Sequence, residues 1–193
     1  TNLIEKNLMT WIDQIEFCID STKIKFLKLP WSKKKYELST PDLKIYCLND
    51  IRKIVKKYIY SYNIFKLVHS IFEQCEIDHI DTNNSIIDKK MGWRQVNTLH
   101  NHDLFHVGGH SHNHVSLGMI SEQKMEKEIL DSILMLKQQG NIVSEHYSYP
   151  EGQLIDYNDS VKSVLNKYNI KCCPTAISGS NELMSKTLFD LKR

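Results

Sequence analysis

Six of the nine histidines fall between His100 and His114, and three of them alternate in Gly109-His110-Ser111-His112-Asn113-His114. Imidazole is the commonest protein metal ligand and the one side chain whose unperturbed pKa lies near neutral pH. A metal or acid–base site is therefore the first chemistry this cluster offers, against a polar loop of solvated histidines. The spacing narrows it. Leu104-Phe105-His106-Val107 is short, apolar and partly β-branched, which predicts a buried strand. Gly108-Gly109 would let the backbone turn tightly after it. If a helical turn follows, His110 and His114 stand at i and i+4 on one face and can present two nitrogens to one ion at about 2.0–2.1 Å. His112 would then point to the other side, so Ser111 and His112 are read as supporting neighbours rather than ligands.

Other metal patterns fit less well. The His-Glu-x-x-His of metalloproteases fails because position 111 is Ser, leaving no glutamate base between the ligands. A His-x-His pair (His110/His112 or His112/His114) would suit an amidohydrolase-like barrel, but such a pair belongs on the first strand and here lies in the second half of the chain. What remains is His-Ser-x-x-His, which resembles the second motif of the polysaccharide deacetylases, the NodB-homology carbohydrate esterases. Its surroundings are similar to that family too. Met91-Gly92-Trp93-Arg94-Gln95-Val96 resembles the segment opening the helix before the motif, and Phe105-His106-Val107-Gly108-Gly109-His110-Ser111 the strand leading into it. Tyr147-Ser148-Tyr149-Pro150-Glu151-Gly152 resembles a form of the third motif, Trp11-Ile12-Asp13-Gln14-Ile15-Glu16 a helix of some members, and Leu188-Phe189-Asp190-Leu191-Lys192-Arg193 a segment before the last strands.

The resemblance implies a metal-dependent hydrolase that removes N-acetyl groups from sugars of a bacterial envelope polysaccharide. His110 and His114 would be ligands of a divalent metal, zinc first, with cobalt, nickel or iron also suited to imidazole. Tyr149, Pro150, Glu151 and Gly152 would form an oxyanion and substrate wall. In the family's chemistry the metal polarises the acetyl carbonyl and activates water, a carboxylate takes the water proton and an acid protonates the leaving amine. Two departures bear on this. No Asp-Asp pair occurs in the chain, and no histidine follows His146, so neither the family's base nor its acid can be assigned. Ser148 stands where the commoner third motif has Arg. The chain begins at Thr1 and is expected to be the middle of a deacetylase domain, truncated on both sides, and incomplete as a catalyst. The alternative is a non-catalytic relic or carbohydrate-binding module of the same fold; an amidohydrolase-type enzyme is a weaker third.

The elements that must position these residues divide the chain in two. Residues 1–90 are expected to be mainly helical. Leu8, Trp11, Ile12, Ile15 and Ile19 share one helical face, Asn49 or Asp50 can cap a second helix carrying Ile51, Ile54, Val55, Tyr58 and Tyr62, and Ile64, Leu67, Val68, Ile71 and Phe72 mark a third. Pro30 and Pro41 punctuate the stretch between. Residues 91–193 alternate strand and helix. Ser121 can cap a helix to about Gln139, with Met125, Ile129, Ile133 and Leu136 inward and Gly140 beyond its end. Ile142-Val143 starts a strand toward Tyr149-Pro150, Asp159 or Ser160 caps a helix with Val161, Val164, Leu165 and Tyr168 inward, and Lys171-Cys172-Cys173 is a further strand. This order predicts parallel strands with right-handed crossovers, with both site segments just after strands, where α/β barrels place their chemistry. The fold class is therefore α/β. The resemblance makes it an incomplete, distorted (β/α) barrel with residues 20–90 as a helical insertion, all in one partial domain over 1–193.

The 193 residues suffice for one sizeable core. Twenty-five basic and 23 acidic residues give a net charge of +2, which calls for no nucleic-acid partner. Three Arg and one Ala in a Lys- and Ile-rich chain suggest an AT-rich, bacterial coding sequence, with cytoplasm and cell envelope both open. No apolar run is long enough to span a membrane, and no secretion leader is recognisable in this stretch. The five cysteines form no C-x-x-C pair and are expected to be buried thiols. Lys33-Lys34-Lys35 and Lys56-Lys57 are expected on solvated faces, and Tyr58, Tyr60 and Tyr62 at the core and rim of a helix rather than under a sugar. Asn83-Asn84-Ser85 and Asn158-Asp159-Ser160 are chance matches to a glycosylation pattern, and Asp78, Asp81, Asn83 and Ser85 lack calcium-loop spacing. An incomplete barrel would expose a sheet edge, which predicts a homo-oligomer.

Overall fold

The computed structural model describes residues 1–6, 9–57, 64–78, 90–182 and 188–193. Leu8, Tyr58, Tyr60, Tyr62, Asp81 and Asn83-Asn84-Ser85 lie outside the described residues, as do the side chains of Lys56 and Lys57. The chain forms two compact units, Met9–Lys89 and Thr1–Leu8 with Lys90–Arg193.

In the first unit three amphipathic helices close over a short hairpin. Helix α2 (Trp11–Ser21) starts where the Thr10 hydroxyl accepts the Asp13 N–H at 3.2 Å, a side-chain cap for one of the orphan donors of a helix start. Its inward residues Ile15, Cys18 and Ile19 are fully buried. Helix α3 runs Pro41–Lys57 and so starts more than two turns before the expected cap. Pro41 opens this helix rather than interrupting the chain, because proline's fixed φ suits a first turn in which its missing N–H is not needed. Asn49 and Asp50 accordingly lie inside the helix, and Cys47, Ile51 and Val55 face inward. Helix α4 (Ile64–Cys75) buries Leu67, Ile71 and Cys75. Strands β1 (Phe26–Leu27) and β2 (Tyr36–Glu37) pair antiparallel, Phe26 opposite Glu37 and Leu27 opposite Tyr36.

The second unit holds α1 (Asn2–Glu5), α5 (Trp93–His100), α6 (Glu122–Gly140) and α7 (Asp159–Lys167). Helix α5 begins at Gly92, whose N–H donates to the Gln95 side chain at 2.9 Å. Helix α6 starts after Ser121 as expected, while its C-terminal end and the N-cap of α7 each lie one residue from expectation. The last turn of α6 includes Gly140, and the left-handed residue is Asn141 at φ 50°, a role Asn tolerates. Helix α7 is capped by Asn158, which accepts the Val161 N–H at 3.0 Å.

The segments between these helices run parallel in the predicted order but as single bridges: Gly109 with Tyr147, His146 with Cys172, and Pro174 with Leu191. The Gly109 N–H donates to the His146 carbonyl at 3.0 Å and the Ser148 N–H to the Gly109 carbonyl at 2.9 Å; the Tyr147 N–H reaches the Cys172 carbonyl at 2.9 Å. Side chains alternate as on a strand: Tyr147 and Tyr149 are buried against α6 and α7, whereas His146 and Ser148 face away. The expected strand Leu104–Val107 is not formed. Leu104 is 81 % exposed and Phe105 50 %, and among the described residues the run finds no ladder partner before Gly109. An isolated extended segment cannot satisfy its backbone groups in a core. The described residues are thus mostly helical, with one two-stranded antiparallel sheet and parallel bridges in place of the expected barrel sheet. No described helix is long and apolar enough to cross a membrane.

Candidate metal centre

Two residues in the left-handed region replace the expected helical turn: Ser111 at φ 55° and His114 at φ 56°. The i, i+4 helical geometry is therefore absent, yet the loop achieves the same juxtaposition. The rings of His110 and His114 lie edge to face, with centroids 4.9 Å apart. The two glycines act differently from expectation as well. Neither has positive φ; what they supply is close approach. A Cβ on Gly109 would fall 2.4 Å from the Tyr147 ring, and one on Gly108 2.8 Å from the His146 carbonyl oxygen.

His110 is oriented from the neighbouring segment. Its Nδ1 lies 3.0 Å from the Ser148 carbonyl oxygen and 2.8 Å from the Ser148 hydroxyl. A carbonyl oxygen only accepts, so the bond to it is made by the tautomer that carries its proton on Nδ1. The surrounding protein strips water from part of this ring even though the residue is exposed, which lowers its pKa; the nearby His114 pushes the same way, against the Ser148 carbonyl. The neutral ring of that tautomer leaves its Nε2 lone pair available. Metal-binding histidines are commonly held like this, one ring nitrogen donating to a backbone carbonyl and the other left for the ion. Among the described residues no third His, Cys, Asp or Glu joins this pair in a group that could hold a metal. The pair fits two positions of a metal site and leaves the others to groups not identified in these residues.

The two supporting neighbours divide their roles. Ser111 is fully buried; its N–H donates to the Tyr147 hydroxyl at 2.7 Å and its Oγ accepts the Val115 N–H at 3.1 Å. His112 turns away from the pair, with Nδ1 3.0 Å from the Thr1 hydroxyl, and burial lowers its pKa. Of the expected substrate wall, Tyr149 belongs to the core. Its ring is 3 % exposed, stacks on Tyr157 at 4.2 Å and donates its hydroxyl proton to the Phe189 carbonyl. Pro150 and Gly152 are also buried, and Glu151 is exposed. Glu151 and Gly152 take φ 63° and 64°, and at Gly152 a Cβ would meet the Ala176 nitrogen at 2.7 Å.

Glu128 and Asp156 also hold this site with no signal in the sequence that marks them, and Tyr147 and Ser148, legible only as part of a motif segment, gain their supporting roles from the fold. The buried Asp156 carboxylate accepts the Ser116 hydroxyl at 2.7 Å and the Gln153 N–H at 2.9 Å, and its carbonyl accepts the Gly118 N–H at 2.8 Å. It thereby ties the turn after His114 to the loop after Gly152. The one usable signal was Ser132, a small polar residue in the apolar stripe of α6, fully buried and 3.1 Å from the Tyr147 hydroxyl.

The sequence profile described as polysaccharide deacetylase matches residues 51–173. Among curated proteins there is no match. Two solved structures are similar at low identity. One is the Streptococcus pyogenes deacetylase PplD in complex with acetate, at 20 % identity and TM-score 0.48 over 66 % of this chain and 57 % of that one. The other is the BpsB deacetylase domain from Bordetella bronchiseptica, at 14 % identity and TM-score 0.48 over 59 % and 53 %. The chain therefore spans little more than half the length of either. The profile match runs through both histidines and the segment that orients His110, and on it the chain belongs to the polysaccharide deacetylase family.

Proposed function

We propose that this chain supplies the histidine ligands and part of the substrate surface of a metal-dependent deacetylase that removes N-acetyl groups from sugars of a bacterial envelope polysaccharide. The observation carrying this is the His110–His114 ring pair, with His110 Nδ1 committed to Ser148, inside the matched region. Polysaccharide deacetylases are generally metal-dependent, and a bound divalent ion, zinc first, would polarise the acetyl carbonyl. His110 and His114 would hold it through ring-nitrogen lone pairs. Ser148 would keep the His110 ring from rotating. Since the Tyr149 ring is buried, residues 149–152 would meet the sugar through their backbone and Glu151. Residues 91–193 would then be part of a distorted (β/α) barrel, one partial deacetylase domain together with residues 1–90, and self-association through the open edge of its sheet would appear as a dimer in gel filtration.

Calorimetric titration of zinc into the chain in a non-chelating buffer, beside His110→Ala/His114→Ala, tests the site. Binding abolished by the double substitution is expected; absence of binding, or binding that survives it, overturns the assignment. Amine release from N-acetylglucosamine oligomers then tests the activity. Metal binding without amine release would favour the second reading, a non-catalytic carbohydrate-binding relic.

A further inference from the structure

The loop between the two histidines has no regular structure of its own, so its conformation must come from what it is bonded to. Its carbonyls accept N–H groups of Thr1 and Asn2, whereas the bonds its own backbone N–H groups donate lead to one helix. The Glu128 carboxylate, on α6, accepts the His112 N–H at 3.0 Å and the Asn113 N–H at 2.8 Å through Oε2, and the Asn113 side-chain N–H at 2.6 Å through Oε1. These are charge-assisted bonds, stronger than neutral ones, and they fall on the two residues midway between the rings. One helical turn further on, Ser132 Oγ donates to the Ile129 carbonyl at 2.8 Å and stands 3.1 Å from the Tyr147 hydroxyl, which itself accepts the Ser111 N–H at 2.7 Å. Tyr147 is 2 % exposed, and its burial keeps the phenol protonated. Glu128 and Ser132 are thus an i, i+4 pair on one face of a 19-residue helix, and between them they reach, directly or through Tyr147, the three consecutive amides 111, 112 and 113. Two residues bracketing those amides carry positive φ, Ser111 and His114. Non-glycine residues hold such backbone only where their surroundings over-determine it.

We infer that Glu128 and Ser132 are the positioning residues of the histidine pair: α6 sets the separation of His110 and His114 by bonding the backbone between them, Glu128 being the stronger of the two. This rests on the proposal that the two histidines bind metal, but the bonding itself can be tested apart from it. Hydrogen exchange by NMR and zinc calorimetry on the full chain provide separate readouts, for wild type, Glu128→Ala, Glu128→Gln and Ser132→Ala. With Glu128→Ala the amides of His112 and Asn113 should lose at least about tenfold protection while those in the middle of α6 and α7 keep theirs. Zinc affinity should fall about 10–100-fold, the loss typical when a group supporting a metal ligand is removed. Glu128→Gln keeps one acceptor oxygen for the two amides and should restore most of both readouts, which a purely electrostatic role would not allow. Ser132→Ala should expose the Ser111 amide selectively. Protection of amides 112 and 113 unchanged in Glu128→Ala overturns the inference, as does wild-type zinc affinity in that variant. A wild-type chain that binds no zinc defeats the metal assignment alone, and the exchange rates still decide whether Glu128 holds the loop.

Discussion

Replacing Gly109 by alanine isolates the steric basis of the site. Its φ is not in the left-handed region, so alanine meets no backbone strain, and the whole effect comes from the new methyl group. That methyl would sit 2.4 Å from two carbons of the Tyr147 ring, well inside contact distance. The ring cannot yield freely, since it is buried beside α6 and its hydroxyl is bonded to Ser111 and near Ser132. Forcing a methyl into such packing costs about 1–3 kcal/mol. If the ring moves instead, the buried Ser111 N–H loses its acceptor, for about 1–3 kcal/mol more. A total of roughly 2–6 kcal/mol corresponds to a fall in melting temperature on the order of 4–24 °C for a chain of this length. Thermal unfolding followed by circular dichroism measures it, with Gly92→Ala as control. A Cβ there meets nothing within 4 Å, and the loss of a helix-capping glycine costs at most about 1 kcal/mol. A Gly109→Ala chain that melts with the Gly92→Ala chain would refute the close-approach account of Gly109.

The remaining predictions follow from the same bonds. Tyr147→Phe keeps the ring but orphans the Ser111 N–H, and should destabilise by about 1–3 kcal/mol in urea titration. Asp156→Ala strips the Ser116 hydroxyl and the Gln153 N–H of a buried carboxylate and should cost about 2–3 kcal/mol by the same assay, with Asp156→Asn in between. Burial pushes the thiols of Cys18, Cys47 and Cys173 up to about 12. These three should stay unreactive toward a disulfide reagent at pH 8 until denaturant is added. Because their folded pKa values lie above the unfolded one, their contribution to stability is complete below about pH 8.5 and is lost as pH rises toward 12. Urea midpoints measured from pH 8 to 11 should therefore fall, and a flat profile would contradict it. Asn158→Ala removes the cap of α7 and should cost about 1 kcal/mol.

The sequence alone carried the histidine pair and most of the helical framework, for a reason that is local in both cases. The periodicity of Ile12, Ile15 and Ile19 or of Met125, Ile129 and Leu136 is written in consecutive turns, and the alternation of strand and helix signals carries the parallel order of the segments around Gly109, Tyr147 and Cys172. Where local signals were read wrongly, the errors were also local: Pro41 opens a helix instead of breaking the chain, and Asn141 rather than Gly140 takes the left-handed turn. The tertiary structure decided what no spacing rule can express. It left Leu104, Phe105 and His106 exposed and unpaired, because a strand exists only where a neighbour pairs with it. It brought His110 to His114 through two left-handed residues instead of a helical turn, fixed by bonds that reach 15 and 36 positions along the chain to Glu128 and Tyr147. The histidines and their spacing are local and could be read from the sequence; the forces that aim their rings are long-range and became visible only in the fold.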